Sequence, residues 1–196
     1  YVRMETKHVT GIPQSMGGSG DPSPVTAYGV YMGMKATAKF LWDNEDLGGK
    51  RIVVQGIGHV GEFLVKYLSN EGANVFICDI NSEKLEKVKS KYGAKIIDND
   101  SILDFDMDIY APCALGGILN TYTIDRLKCS IVCGGANNQL EDEERDSLHL
   151  KNKGIIFAPD FLVNSGGLIN VYSEIKGYNK ENSLEKTKEI FNTTLD

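Results

Sequence analysis

No stretch of the chain is long and apolar enough to span a bilayer; the longest mostly apolar run, 25–42, is broken by Lys35 and Lys39. No charged-then-apolar leader is visible, and the first residue is Tyr1 rather than Met, so we read the sequence as a piece of a longer protein. A basic cluster is also missing. With 21 Lys and Arg against 27 Asp and Glu the net charge is −6, which argues against nucleic acid as a partner. Cys78, Cys113, Cys129 and Cys133 have neither CxxC nor Cys/His spacing, so the sequence predicts no metal site and ordinary thiols in a reducing cytoplasm. His8, His59 and His149 are scattered, which argues against a metal or general-base role for any of them. No internal repeat or low-complexity segment is evident. The 196 residues suffice for one well-buried domain, perhaps with a small appendage.

What is present is organised around 50–79. The apolar run Ile52-Val53-Val54-Gln55 leads directly into Gly56-Ile57-Gly58-His59-Val60-Gly61, a GxGxxG loop. Val60, Phe63, Leu64, Tyr67 and Leu68 then mark one face of a helix ending at Gly72. A second run, Val75-Phe76-Ile77-Cys78, ends in Asp79, 18 positions after Gly61 and close to the roughly 20 of a dinucleotide site. Each residue type has a physical task. Gly56 permits the turn, Gly58 lets main-chain amides approach a diphosphate, and Gly61 allows helix and strand to pack closely. The diphosphate would sit at a helix N-terminus, where unpaired N–H groups and the dipole favour negative charge. Asp79 can accept hydrogen bonds from the ribose hydroxyls and would repel a 2′-phosphate; no Arg follows it in Ile80-Asn81-Ser82, so NAD is favoured over NADP.

The rest of the chain alternates in the same way. A glycine-bearing lead-in with Gly11, Gly17, Gly18 and Gly20 reads as a hinge or a plain loop. Ser23 as N-cap and Pro24 at N1 predict a helix from 23 to about 42, largely buried, whose line of Gly29, Gly33 and Thr37 implies a backbone passing close by. A helix over about 82–92, with Leu85, Val88 and Tyr92 inward and a Glu83–Lys87 pair outward, stops at Gly93. Short apolar runs at 94–97, 108–111, 130–133 and 155–158 bring the count to six strands. This is an α/β pattern: a doubly wound parallel sheet of Rossmann type, in the order 3-2-1-4-5-6 with helices on both faces. An amphipathic helix is expected over 181–195 through Leu184, Phe191 and Leu195. The domain reading is a lead-in over 1–22, a dinucleotide-binding domain over 23–180, and a C-terminal helix over 181–196. The loops after strands four, five and six carry small residues, Gly116, Gly117, Gly134, Gly135, Gly166 and Gly167 among them, and should open on the same sheet edge as the glycine loop. Asn138 or Asn164 there suits a nicotinamide amide or its ribose.

The stretches 19–30 (SGDPSPVTAYGV), 108–117 (DIYAPCALGG), 158–160 (APD) and 164–171 (NSGGLINV) closely resemble the leucine dehydrogenase branch of the Glu/Leu/Phe/Val dehydrogenase family. The resemblance covers essentially the whole chain. It implies a cytoplasmic, NAD-dependent oxidoreductase that deaminates a branched-chain L-amino acid to the 2-oxo acid and ammonium, homo-oligomeric as the full-length protein. Position by position, Gly56, Gly58 and Gly61 match the family's phosphate loop, with His59 and Val60 in its remaining places, and Asp79 matches the ribose acid. Thr26, Ala111, Cys113, Ala136 and Asn138 match positions near the nicotinamide. Leu168 and Val171 match the walls of the substrate side-chain pocket, to which we add Asn164. Three positions depart from the commonest pattern: Gly61 is often alanine, Asn137 stands where aspartate is usual, as in phenylalanine dehydrogenases, and Leu168 is bulkier than the usual valine. Leucine, valine or isoleucine is therefore favoured over phenylalanine.

The resemblance also implies that catalysis is shared with residues outside this chain. The family's catalytic lysines and acid/base aspartate belong to an N-terminal substrate domain, and Lys7, Lys35 and Lys39 match none of them. No catalytic residue is expected here, and a segment returning after Asp196 is expected to lie outside the chain as well. In the intact enzyme, closure about a hinge near 11–20 would exclude water and set the hydride-transfer distance. Two other classes are a non-catalytic NAD-sensing module and a nucleotide-dependent enzyme such as a methyltransferase; neither predicts the loops after strands four, five and six.

Overall fold

Ile52, Val53 and Val54 are consecutive and all fully buried, which is possible in a strand only if both faces of the sheet are covered. The structure, a computed structural model that describes residues 2–6 and 8–196, shows how. Strands β1 (Arg51–Gln55), β2 (Asn74–Cys78), β3 (Lys95–Ile96), β4 (Ile109–Pro112), β5 (Ile131–Val132) and β6 (Ile156–Phe157) form a parallel sheet in the order β3-β2-β1-β4-β5-β6 among the described residues. Val53 lies opposite Phe76 on one side and Tyr110 on the other. The predicted topology is thus the one found.

Helices α1 (Val2–Glu5), α2 (Ser23–Trp42), α3 (His59–Asn70) and α4 (Ser82–Tyr92) precede β3; α5 (Thr121–Arg126) and α6 (Glu143–Asn152) follow β4 and β5. Beyond β6 come α7 (Asp160–Val163), α8 (Gly166–Tyr172), α9 (Lys180–Lys188) and α10 (Ile190–Leu195). Ile52 and Val54 point into one core with Val30 and Met34 of α2 and with Leu64 and Leu68 of α3. Val53 and Tyr110 point into the other, with Ile124 of α5 and Leu150 of α6. Each such leucine contributes roughly 1.5–3 kcal/mol by leaving water.

The small-residue line on α2 has the predicted neighbour. A Cβ on Gly29 would lie 2.7 Å from the Val163 carbonyl oxygen, and one on Gly33 would lie 2.4 Å from Val163 Cγ1. Three local expectations are corrected. Ser23 is the first residue of α2 rather than its cap: Asp21 Oδ1 accepts both the Ser23 N–H at 2.9 Å and its hydroxyl at 2.6 Å. Lys35 of α2 is paired at 2.7 Å with Glu71, their side chains 15% and 16% exposed. On α4, Lys89 pairs with Glu86 and Lys91 crosses to Glu62 on α3, instead of a Glu83–Lys87 pair. The helix expected over 181–195 is two helices meeting at Glu189, and its inward residues are Ser183, Thr187 and Ile190. Small polar residues suit that face because it packs on glycines: a Cβ on Gly166 would lie 3.0 Å from Thr187 Cγ2, and one on Gly29 2.8 Å from Ile190 Cδ1.

Candidate functional site

The glycine loop leaves β1 with Gly56 at φ +97°, where a Cβ would lie 2.7 Å from the main-chain nitrogen of Ala114. Gly61 is tighter still. A Cβ there would lie 2.0 Å from the Gly56 carbonyl oxygen, so this backbone does not accommodate even an alanine at that position. Gly58 differs from both, since nothing lies within 4 Å of where its Cβ would stand. It is the residue before α3, and no side chain caps that helix. The first-turn N–H groups of a 12-residue helix are therefore available to an anion over an open glycine.

Around this opening stand His59 and Asp79. His59, 82% exposed, begins α3 and has Nδ1 3.4 Å from Asp21 Oδ2. Asp79 closes β2 and lies beside the loop: its Oδ2 accepts the Ile57 N–H at 2.6 Å and its Oδ1 the Asn81 N–H at 2.8 Å. Both oxygens are held by main chain, and each keeps a second lone pair.

The loops after β4, β5 and β6 meet the glycine loop on the same edge. Ala111 is fully buried in β4 and contributes through its small size. Cys113 donates its N–H to Gln55 O at 2.7 Å and accepts the Gly135 N–H on Sγ at 3.4 Å. Burial pushes its thiol up to about 11, against the opposing effect of that N–H. Ala136 is buried and tied to Pro112 O at 2.9 Å; Asn138 is exposed at φ +51°, with its carbonyl accepting from Gly117 N–H. Asn164 donates its side-chain amide to Asn137 Oδ1 at 2.6 Å, joining the β5 loop to the turn before α8.

A cleft of about 410 Å³ is lined by Thr26, Val60, Gly135, Asn137, Asn164 and Leu168, with Phe161 and Ser165 completing its wall. Thr26 donates its hydroxyl to Pro22 O at 3.0 Å. Leu168, 70% exposed, shows its side chain to the opening. Val171 lies elsewhere on α8, half-buried near the lead-in, 3.9 Å from where a Cβ on Gly11 would stand. The structure therefore gathers Thr26, Val60, Asn164 and Leu168 around one cleft and sets Gly56, Gly58, His59, Gly61 and Asp79 around the glycine loop. It leaves Ala111, Cys113, Ala136, Asn138 and Val171 outside the cleft lining.

Two residues that periodicity does not mark hold these loops together. Gln139, fully buried, donates Nε2 to Gly134 O at 2.9 Å and Ala136 O at 3.0 Å, while its N–H donates to Asp160 Oδ2 at 2.9 Å. Asp160 also accepts the Phe161 N–H at 2.7 Å, so one carboxylate joins the β5 and β6 loops. His149 is far from this edge, bonded through Nε2 to Asp125 at 2.8 Å. Lys7 lies outside the described residues. Among the described residues no group of three or more His, Cys, Asp or Glu is disposed to hold a metal, and no helix is long and apolar enough to cross a membrane.

Residues 17–82 and 76–195 match the model of the Glutamate/Leucine/Phenylalanine/Valine dehydrogenase family. The chain is 50% identical over 194 residues to leucine dehydrogenase of Thermoactinomyces intermedius, covering 99% of this chain and 53% of that protein. It is 45% identical over 198 residues to phenylalanine dehydrogenase of the same organism, covering 100% of this chain and 54% of that one. The crystal structure of L-tryptophan dehydrogenase from Nostoc punctiforme superposes with a TM-score of 0.90 at 41% identity, over 99% of this chain and 55% of the other. The chain thus spans about half the length of the relatives it matches. A parallel 3-2-1-4-5-6 sheet with its glycine loop and acid on one edge, together with these matches over nearly every residue, establishes that the chain belongs to the Glu/Leu/Phe/Val dehydrogenase family.

Proposed function

We propose that this chain is the NAD-binding part of an amino-acid dehydrogenase that reversibly deaminates L-leucine or another branched-chain L-amino acid, with its catalytic lysines outside the sequence. The observation that carries the cofactor assignment is the placement of Asp79. Its carboxylate is fixed by the Ile57 N–H at 2.6 Å, directly beside the open glycine and the uncapped start of α3. That arrangement fits a dinucleotide: the first-turn amides of α3 would hold the diphosphate, Asp79 the adenosine ribose, and the cleft between Thr26 and Asn164 the nicotinamide half. When bound, NAD supplies the acceptor for the hydride that leaves the substrate Cα.

The chain's own residues bind and orient. Ala111, Cys113 and Ala136 are small residues packed behind the cleft lining, Asn138 offers an amide near its rim, and Asn164 is oriented by Asn137. Leu168 walls the substrate side from this domain at the cleft, and Val171 borders it from beyond the lining, toward the lead-in. A carboxylate at position 79 repels a 2′-phosphate and so selects NAD over NADP. Calorimetric titration with each nucleotide tests this: NAD should bind and NADP bind far more weakly, and equal binding of the two would refute the assignment. The chain alone should show no turnover with leucine. A second reading, an aromatic amino acid as substrate, is favoured by the phenylalanine and tryptophan dehydrogenases among the relatives; comparing leucine and phenylalanine as substrates of the complete enzyme separates the two.

A further inference from the structure

The glycine-bearing lead-in is not slack. Gly20 N–H donates to Ile12 O at 3.0 Å and Gly18 N–H to Pro13 O at 3.1 Å, and a Cβ on Gly18 would lie 2.1 Å from Ile12 O. The segment from Gly11 to Gly20 is thus folded back on itself, with its two ends side by side.

Both ends are held by one side chain from far along the chain. Glu174, in a one-turn 3-10 helix, Ser173–Lys176, behind α8, accepts the Ser19 N–H on Oε1 at 2.6 Å and the Gly11 N–H on Oε2 at 2.9 Å. Burial acts to raise its pKa, but the Ser19 side chain and the N–H groups of Ser19, Gly11 and Ile12 hold the carboxyl below the usual range. It is therefore ionised in neutral solution and presents acceptors only. A glutamine in its place has one acceptor oxygen, and its NH₂ would face the second N–H.

The start of α8 is fixed as well, since Cβ atoms on Gly166 and Gly167 would lie 2.3 Å from Val25 O and 2.5 Å from Thr26 Oγ1. One end of α8 is thus seated on α2 and the other is tied through Glu174 to the lead-in. Val171, three residues before Glu174, is the α8 residue that meets Gly11.

We infer that Glu174 is a positioning residue: its carboxylate locks 11–19 to the end of α8, holds Val171 in place, and moves the pivot of the lead-in to the residues before Gly11. The glycines at 17, 18 and 20 then serve tight folding, not hinge motion.

Amide hydrogen exchange on the chain, wild type against Glu174→Gln, tests the lock. The Gly11 and Ser19 amides should exchange about tenfold faster or more in the variant while Val53 and Val54 in β1 keep their rates. Unchanged Gly11 and Ser19 rates would overturn the inference, and so would an equal loss of protection at Val53 and Val54, the mark of a general stability residue. The part concerning Val171 rests on the dehydrogenase reading above and is read in the complete enzyme. There Glu174→Gln should raise the KM for the amino acid about fivefold and leave the KM for NAD in place. An unchanged KM for the amino acid overturns the Val171 part alone; a wild-type enzyme without dehydrogenase activity overturns the functional reading and leaves the exchange result to decide the lock.

Discussion

The carboxylate of Asp79 accepts the main-chain N–H of Ile57 at 2.6 Å, so the acid at the end of β2 and the turn out of β1 form one unit. Replacing Asp79 with Ala should remove charge-assisted bonds to a ribose and also free the Ile57 amide. With roughly 1.5–3 kcal/mol for hydrogen bonds to a charged group, NAD affinity should fall about 10- to 100-fold, and the preference over NADP should narrow. Calorimetry on the variant with both nucleotides checks it.

Gly58 and Gly61 should separate affinity from stability. Gly61→Ala forces a Cβ to within 2.0 Å of the Gly56 oxygen and should lower stability by about 1–3 kcal/mol, seen as an earlier urea midpoint. Gly58→Ala meets no atom within 4 Å, and its extended φ of −78° suits alanine. It should unfold like the wild type yet bind NAD more weakly. Equal urea midpoints for the two variants would contradict this reading of the loop.

Lys35 and Glu71 form a pair that is mostly withdrawn from water, and Glu71 Oε1 also accepts the Leu47 N–H at 3.3 Å. Lys35→Met leaves that carboxylate without its cation. A loss of about 2–3 kcal/mol is expected, less than for a fully buried pair, and the double variant Lys35→Met/Glu71→Gln should recover part of it. Chemical denaturation of the three proteins completes the cycle.

Acid should weaken the corner at the start of α6. Asp146 is fully buried, bonded to Arg145 Nε at 2.8 Å and Nη2 at 2.9 Å and to the Asp142 N–H at 2.9 Å. The Arg145 bonds outweigh burial and hold its carboxyl below the ordinary value. Its folded pKa is thus depressed, so its contribution is complete above about pH 4 and is lost as pH falls through the lower, folded value. Asp146→Asn should cost about 1–3 kcal/mol at pH 7 and flatten the decline in stability between neutral pH and pH 3. Urea midpoints across that range give the answer.

Leu168 offers a handle on substrate choice. In the complete enzyme, Leu168→Gly should enlarge the cleft and raise kcat/KM for phenylalanine relative to leucine by about tenfold, on the scale of a few methylenes in an apolar pocket. A ratio that does not move would take Leu168 out of the substrate pocket.

Much of this edge is legible in the sequence because it is local. The β1 run, Gly56 to Gly61 and Asp79 lie within 30 residues, and apolar runs bounded by glycine declare themselves as buried parallel strands. Errors arise where tertiary contacts override local pattern. On 181–195 the apolar residues suggest one helix face, yet the helix breaks at Glu189 and turns Ser183 and Thr187 inward, because its neighbour presents Gly166 rather than a large side chain. Asp21 supplants Ser23 as acceptor through a turn that precedes the helix. Gln139 and Glu174 carry no periodic signal at all; Glu174 meets Gly11 across 163 positions of sequence.

The seating of Ile190 against Gly29 and of Val163 against Gly33 has a bearing on how the molecule is made. Helix α2 is followed closely in sequence by α3, but its other flank waits for partners encoded some 130 to 160 residues later. A nascent chain therefore displays an uncovered apolar helix face until α7 to α10 have followed it. Long-range closure of this kind slows folding and leaves an adhesive surface in the interim. Shortening the chain by its final two helices should impair soluble yield more than their modest share of the core would suggest.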